Sequence, residues 1–338
     1  MAENSSIEWT NHTFNGIRGC VEISPACDHC YARVQSKRNP RLLGAWGSKA
    51  DGGVRVLAPD AYWKAPLVWD AKAAERGIRE RVFAYSLADV FERWDDTLVD
   101  IKGQPVASTM DDTRGRLFQL INNTPNLDWL LLTKRPENIE PMLSKLVFRH
   151  PLLPGRELTA WDLLQLGKFP NVWFGTTVEN QEQAGKRIPE LIKIPATVRF
   201  LSMEPLLGPV DLRFVVSNKV DYDALTGLRS FGHGNKIDWV IAGGESGPEA
   251  RPSHPDWFRS LRDQCVATKT AFFFKQWGDL LPHCQSTSDT QRNPVPFPSP
   301  HNPAKANIYY RVGKKVAGRS LDSVEWSQFP EPRKGDSL

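Results

Sequence analysis

No run of the 338-residue sequence approaches the roughly 20 consecutive apolar residues that a membrane-spanning helix needs, so a membrane partner is not expected. The opening residues, Met1-Ala2-Glu3-Asn4-Ser5-Ser6, are polar and lack the basic-then-apolar pattern of a secretion signal. A soluble, cytoplasmic chain is the expectation. Charge of one sign is scarcely in excess: 43 Lys and Arg against 39 Asp and Glu leave +4, too little to announce a nucleic-acid partner. With 40% hydrophobic and 24% charged residues, the composition excludes disordered, collagen-like and coiled-coil chains. Cysteine is sparse, and its five residues are uneven: Cys20, Cys27 and Cys30 fall together, while Cys265 and Cys284 stand far away. In a reducing compartment such a cluster points to a metal site rather than a disulfide framework, with the two distant thiols as bystanders.

What the sequence does have is twelve Trp and 26 Pro, the latter enough to break up most long helices. Short apolar runs at Val82–Ser86, Trp129–Thr133, Val172–Thr176, Val198–Ser202, Trp239–Ala242 and Ala271–Phe274 predict buried strands, with a further one around Thr13–Ile17. Helices are expected at Arg114–Asn122, Ile139–Val147, Gln181–Ile194 and Pro255–Ala267. Strand, crossover and strand again is the pattern of a parallel sheet with helices packed outside it. The length suits an α/β fold, a partial TIM-like barrel of six or seven βα units over residues 1–280. Residues 281–338 are expected to be a Pro-rich linker, Pro294-Val-Pro-Phe-Pro-Ser-Pro and Pro303, and a C-terminal extension with a hairpin within Ile308–Phe329 turned by Gly313-Lys314-Lys315. The segment Val215–Asn235 has no clear period and is expected to be a loop.

The strand ends carry the polar residues. They read Ser86-Leu-Ala-Asp89, Thr133-Lys134-Arg135, Thr176-Thr177-Val-Glu179, Ser202-Met203-Glu204, Gly243-Gly244-Glu245-Ser246 and Lys275-Gln276-Trp277. In a βα barrel these ends face one mouth, where active sites are built; a doubly wound open sheet would gather some of them at its switch point. Lys275, after Phe272-Phe273-Phe274, would point into that mouth, and with Lys134 and Arg135 would make it receptive to carboxylate or phosphate.

Cys20-Val-Glu-Ile-Ser-Pro-Ala-Cys27-Asp-His-Cys30 spaces its thiols as C-x6-C-x2-C, with Pro25 favouring an irregular loop. Three thiolates can hold three irons of a [4Fe–4S] cluster and leave the fourth open to a small molecule. A Cys3His zinc site with His29 or His12, and redox chemistry at Cys27-Asp-His-Cys30, are the alternatives that spacing leaves open.

Ser6-Ile-Glu-Trp-Thr, Gly19-Cys20, Ser24-Pro25-Ala-Cys27-Asp-His-Cys30-Tyr31-Ala32, Thr133-Lys134-Arg135-Pro136-Glu137-Asn138, Gly243-Gly244-Glu245-Ser246-Gly247 and Phe273-Phe274-Lys275-Gln276-Trp277-Gly278 resemble a phage- and prophage-associated three-cysteine family. That family is regarded as radical-SAM-like and distantly similar to spore photoproduct lyase. The resemblance runs from about Ser6 to Gly278, with a weaker echo at Gly318-Arg319-Ser-Leu-Asp322 and Trp326. It implies a barrel of the radical SAM type in which Cys20, Cys27 and Cys30 ligate the cluster. S-adenosylmethionine would chelate the open iron, and an electron donor would drive its cleavage to a 5′-deoxyadenosyl radical. The sequence departs from the superfamily's commonest C-x3-C-x2-C spacing, and His29 stands where an aromatic usually precedes the last Cys, with Tyr31 following it. Ser86 and Asp89 are candidate contacts for the methionine ammonium, Thr177 and Glu179 for the ribose, and Gly243, Gly244 and Glu245 for a phosphate or adenine edge. Glu204 and Lys275 are the candidate catalytic residues.

Two features bear on substrate. Residues 31–81 carry eleven Lys and Arg against five Asp and Glu, with Trp46, Tyr62, Trp63 and Trp69 interspersed, a pattern that fits DNA or RNA bound through charge and stacking. The phage association and the similarity to a DNA-lesion lyase imply the same substrate class, in a bacterial host's cytoplasm. A peptide or small-metabolite radical enzyme needs only the mouth and the cluster, and the non-enzymatic alternative is a zinc-stapled or cluster-stapled binding protein with a phage or host partner.

Overall fold

The computed structural model describes residues 2–149, 157–217, 220–229, 232–299 and 302–331. Seven strands pair in chain order into one curled, all-parallel half-barrel: β1 (His12–Phe14), β2 (Glu80–Ala84), β3 (Leu127–Thr133), β4 (Val172–Thr177), β5 (Val198–Met203), β6 (Trp239–Gly243) and β7 (Ala271–Gln276). The strand Ala2–Glu3 adds antiparallel at the β1 edge. This is the α/β, TIM-like order that the strand spacing implies. The first strand is shorter than expected. It stops at Phe14, and Ile17–Arg18 turns into a separate four-stranded sheet with Val56–Leu57, Leu98–Val99 and Pro105–Val106.

The strands read as continuous apolar runs because both faces are covered, as parallel sheets require. On the inner face Trp9, Phe83, Leu130, Trp173, Phe200, Trp239, Ile241 and Phe273 form one cluster. Trp239 stands edge-on to Trp173 and Phe273, each with ring centroids 6.2 Å away, the preferred geometry for aromatic pairs. The ring of Phe200 fills the space above Gly175, where any Cβ would lie 2.3 Å from it. The outer face, with Val82, Trp129, Leu131, Phe174, Leu201 and Phe272, packs on the helices.

Helices connect most of the strands, and local capping sets their starts. Thr109 and Asp112 form a reciprocal capping box before Met110–Asn122; Asn180 caps Gln181–Leu191; His254 caps Pro255–Thr268, whose first residue is the Pro favoured there. The helix expected at Ile139–Val147 ends at Leu143, and Val147–Arg149 is a strand paired with Glu157–Thr159. Val215–Asn235 is not a plain loop: Val215–Ser217, Val220–Tyr222, Leu228–Arg229 and Gly232–His233 form a small antiparallel sheet between β5 and β6. Among the described residues, no helix is long and apolar enough to cross a membrane.

The C-terminal residues pack against the half-barrel. Pro294–Ser299, expected as linker, is an edge strand on Asn302–Arg311, which also pairs with Leu280–Pro282; proline is tolerated on such an edge. Pro303 lies in the partner strand, and Pro300 lies outside the described residues. Lys314–Ala317 is a short helix where a turn was expected, and the hairpin is Ser320–Leu321 with Val324–Glu325, turned by Asp322 and Ser323 at φ 53° and 65°. Beyond it, Phe274 N donates to Trp326 O at 2.9 Å and Phe329 packs on Trp239 at 5.2 Å, with the Arg81 guanidinium 3.9 Å from its ring centroid.

Asp322 fastens the hairpin to the helix Pro255–Thr268, accepting from Arg259 at 2.7 Å and Arg262 at 2.8 Å, and also from Gln285 at 2.8 Å. Arg259 first, against the opposing effect of burial, and then Arg262 and Gln285 hold its carboxyl well below the usual carboxylate range. A depressed carboxyl contributes stability that is present above its unfolded pKa of about 3.9 and is lost as pH falls through the lower folded value. Urea denaturation at a series of pH values should therefore show stability lost below about pH 4, and Asp322→Asn should flatten that part of the profile while weakening the protein near neutrality. An unchanged profile in the variant would refute the assignment.

Candidate functional site

A cavity of about 740 Å³ opens at the carboxyl ends of the strands, within the size range of small-molecule and cofactor sites. Its walls follow from strand alternation: on β7, Ala271 and Phe273 belong to the inner cluster, and Lys275 is the next residue on that face. The same step carries β5 from Phe200 to Ser202 and on to Glu204, and β3 from Leu130 and Leu132 to Lys134. Ser86, Asp89, Thr177, Glu204, Gly244, Glu245 and Lys275 all line the cavity, together with Cys20, Cys27 and Cys30. Glu179 and Gly243 stand behind the wall.

The cysteine loop leaves the small sheet at Arg18 and crosses the mouth. Cys27 ends a single 3-10 turn, Pro25–Cys27, with Pro25 at its first position, so this part of the loop is tighter than an irregular one; Cys30 precedes the helix Tyr31–Arg38. Cys27 is buried, and Cys20 and Cys30 are half-buried. Three carboxylate–arginine pairs, with Asp89–Arg135 beside the first of them, fix the loop along its length. At its start, Glu92 accepts from Arg55 through two bonds of 2.7 Å, and its Oε1 also accepts from Val21 N at 3.0 Å. Arg135 donates to Val21 O at 3.0 Å and to Asp89 at 2.8 Å. In the middle, Glu179 accepts from Ala26 N at 3.3 Å and from Arg187 at 2.9 Å. At the end, Arg251 donates to Pro25 O at 2.9 Å, Asp28 at 3.0 Å and Glu245 at 2.6 Å, while His29 Nδ1 lies 3.0 Å from Glu245. Burial opposes the charge on Glu245, yet Arg251 and His29 hold its carboxyl below the ordinary range.

These contacts redefine several expected roles. Asp89 is a four-fold acceptor, from Phe91 N, Thr133 Oγ1, Lys134 N and Arg135, so its carboxylate organises the β3 end. Glu179 is fully buried beneath the cysteine loop and does not reach the cavity. Gly243 lies against Glu204: a Cβ there would stand 3.3 Å from its Cγ. Gly244 must be glycine, since a Cβ would meet Trp277 O at 2.0 Å. Ser86 O accepts from Tyr31 Oη at 2.8 Å. Glu204 Oε2 accepts from Lys275 Nζ at 2.6 Å, and its Oε1 is buried with no hydrogen-bond partner among the described residues. His12 is occupied elsewhere, 2.9 Å from Glu80 and stacked on Trp69 at 4.4 Å. Cys265 is buried in the helix Pro255–Thr268, and Cys284 is exposed.

Three of the five aromatics in the basic segment are core residues: Tyr62, Trp63 and Trp69 are at most 7% exposed, which removes them as stacking platforms. Trp46 lines the cavity. Sequence reasoning missed Arg55, Glu92, Arg187 and Arg251 as supports of the loop, because each acts on backbone or carboxylates distant in the chain.

Burial first, and then Glu92 and Asp89, push the Cys20 thiol up to about 12, against the pull of Arg135 and Lys134. A metal binding there must displace a proton. Three thiols of one loop on the wall of one cavity, with no further Cys lining it, fit the donor set of a four-iron cluster with one open iron. Among the described residues, no group of three or more His, Cys, Asp and Glu side chains is gathered around a point where a single metal ion would sit.

Because Arg55 and Glu92 are both fully buried, removing either partner strands a charge, at a cost of about 3–5 kcal/mol. Arg55→Ala and Glu92→Gln should each lower stability on that scale in urea titrations. Both should also accelerate labelling of Cys20 by a thiol reagent, followed by peptide mass spectrometry, while labelling of Cys265 in the folded protein stays slow. Unchanged Cys20 reactivity would show that the pair does not hold the loop.

No curated protein and no solved structure matches this chain. A family model described as "Protein of unknown function (DUF5131)" matches residues 4–330, and the chain belongs to that family.

Proposed function

We propose that this member of the family is an iron–sulfur enzyme of the radical S-adenosylmethionine type, acting on nucleic acid or a nucleotide. The observation that carries the proposal is that Cys20, Cys27 and Cys30 line one cavity at the carboxyl ends of a parallel half-barrel, beside Glu204 and Lys275. The motif resemblance to the radical-SAM-like three-cysteine family supports the same reading. The three thiols would hold a [4Fe–4S] cluster and leave one iron for S-adenosylmethionine. When bound, that group supplies one-electron chemistry: an electron from a donor cleaves the sulfonium and allows a hydrogen atom to be taken from the substrate.

The chain's own residues orient and insulate. The pairs Glu92–Arg55, Glu179–Arg187 and Glu245–Arg251 keep the thiols on the cavity wall before any ligand arrives, the preorganisation a reactive site needs. Below the cavity, the aromatic cluster of Phe83, Phe200, Trp239 and Phe273 closes the barrel floor to water. Lys275 Nζ donates to Glu204 Oε2 at 2.6 Å, which puts a donor and an acceptor side by side at the reacting face. Gly244 lets the Trp277–Gly278 backbone pack against the β6 end at the cavity wall. The His29 Nδ1 contact with Glu245 leaves Nε2 for a zinc site, so metal content decides between zinc and cluster. The polynucleotide reading keeps the exposed Lys and Arg of residues 31–81 and Trp46, but not Tyr62, Trp63 or Trp69. The reducing cytoplasm suits both the thiols and the electron donor.

Anaerobic purification tests the proposal directly. The expected protein is brown, with about four irons and about four sulfides per chain, and Cys20→Ala, Cys27→Ala and Cys30→Ala each lose iron. With a chemical reductant, the reconstituted protein should convert S-adenosylmethionine to 5′-deoxyadenosine. Colourless protein containing zinc would end the proposal, as would an intact, reduced cluster that never cleaves the cofactor.

A further inference from the structure

The charges around the cavity do not balance. Each carboxylate on its wall has its own cation: Asp89 has Arg135 at 2.8 Å, Glu204 has Lys275 at 2.6 Å, and Glu245 has Arg251 at 2.6 Å. Lys314, at the rim, pairs with Glu8 at 3.3 Å. Arg18 and Lys134 also line the cavity, and among the described residues neither has a carboxylate within ion-pair distance. Two positive charges are thus left over inside a concave, partly desolvated mouth, where the field of unmatched charge is strongest.

Neither cation is a free surface group. Arg18 is half-buried on the strand Ile17–Arg18, with Nη1 donating to Leu42 O at 3.1 Å and its guanidinium 5.6 Å from the Tyr62 ring centroid. Lys134 follows Leu130 and Leu132 on the inner face of β3, and its backbone N is pinned to Asp89 at 3.1 Å. Its side chain lines the same cavity as Cys20, Cys27 and Cys30. The two cations therefore flank the cysteine loop from different elements, one from the small sheet and one from the barrel.

We infer that Arg18 and Lys134 form a phosphate subsite, and that the ligand taken into this cavity is a nucleotide or a nucleic-acid strand held by its phosphate. Two separate cations suit the double charge of a phosphate monoester, or successive diesters, better than a single carboxylate. The same cavity offers aromatic faces for a base: Tyr31, half exposed and fixed by its hydroxyl on Ser86 O, and Trp46. The inference deepens the proposed function by giving the substrate its handle. It rests on that reading only for what is done to the ligand, since binding requires no cluster.

The test uses the full chain as purified, in fluorescence-anisotropy titrations with a labelled oligothymidylate of about eight nucleotides, a length within the usual site sizes for single strands. Adenosine monophosphate and a short glutamate-rich peptide serve as competitors. Binding should weaken with added salt. Arg18→Ala and Lys134→Ala should each weaken it about tenfold and reduce the salt slope by about one, with Lys134→Arg retaining most affinity. Lys186→Ala and Lys193→Ala, exposed and outside both the cavity and the basic segment, should bind as wild type. Displacement by the mononucleotide at similar concentration identifies a free nucleotide as the source of the phosphate, and a much tighter oligonucleotide identifies a strand. The inference fails if Arg18→Ala and Lys134→Ala bind like wild type, if the Lys186 and Lys193 variants lose as much, or if the acidic peptide competes as well as the mononucleotide. Cofactor cleavage without substrate is measured separately. Its absence with phosphate binding intact would remove the proposed function and leave the subsite standing, and the converse would do the reverse.

Discussion

The Glu92 carboxylate is the point from which the rest of the site is hung. It is 1% exposed and accepts from Arg55 twice and from Val21 once, tying together the small sheet, the turn after β2 and the start of the cysteine loop. A buried ion pair is not stabilising by itself, since desolvation offsets much of its attraction. Here the remaining donors of Arg55 are satisfied by Ala45 O and Gly47 O at 3.3 and 3.2 Å, and its guanidinium lies 4.0 Å from the Trp94 ring centroid. A network satisfied to this degree contributes geometry more than energy. It sets where Cys20 can be, because Val21 is gripped from both sides, by Glu92 through its N–H and by Arg135 through its carbonyl.

The same device recurs twice along the loop, and the repetition has a physical reason. Three thiols spaced over eleven residues do not converge from one regular helix or strand, and a loop makes few bonds of its own. Its shape has to be imposed from outside. Glu179 with Arg187 and Glu245 with Arg251 do this from β4 and β6, so three barrel units converge on eleven residues of chain. Arg251 is the most versatile, meeting a carbonyl, an aspartate and a glutamate at once, which the planar fork of a guanidinium allows and an ammonium does not.

This division between barrel and clamp explains what the sequence made legible. The strands were readable because burial on both faces leaves continuous apolar runs, and the mouth was readable because polar residues follow each run. Asp322-Ser323 turned a hairpin that was expected elsewhere, since two-residue strands leave no periodicity to read. Pro294–Ser299 looked like linker because proline forbids a central strand, but an edge strand asks for fewer donors. The clamps were unreadable for another reason: Val21 and Glu92 are 71 residues apart, and Pro25 and Arg251 are 226 apart. Tyr62, Trp63 and Trp69 lie in a segment rich in Lys and Arg, yet their rings face inward; local charge says nothing about which way an aromatic turns.

The tryptophans and the missing eighth strand belong to one solution. A half-barrel of seven strands has two free edges, each an invitation to pair with another chain. Ala2–Glu3 covers the β1 edge, and residues 326–328 cover β7, with Gln328 N donating to Phe272 O at 3.2 Å. Among the described residues no strand fills the gap between the edges, so the barrel interior must be closed by side-chain volume. Trp9 and Phe329 supply it from outside the parallel strands, packing on Phe83 and Trp239. Large rings fill such a gap with few rotatable bonds to freeze. They also set the depth of the cavity above them, because the level at which Phe83, Phe200 and Phe273 end is the level at which Tyr85, Ser202 and Lys275 begin. The polar chemistry of the mouth therefore rests on an apolar floor whose height is fixed by aromatic packing, and a variant that lowers the floor would be expected to move the Glu204–Lys275 pair with it.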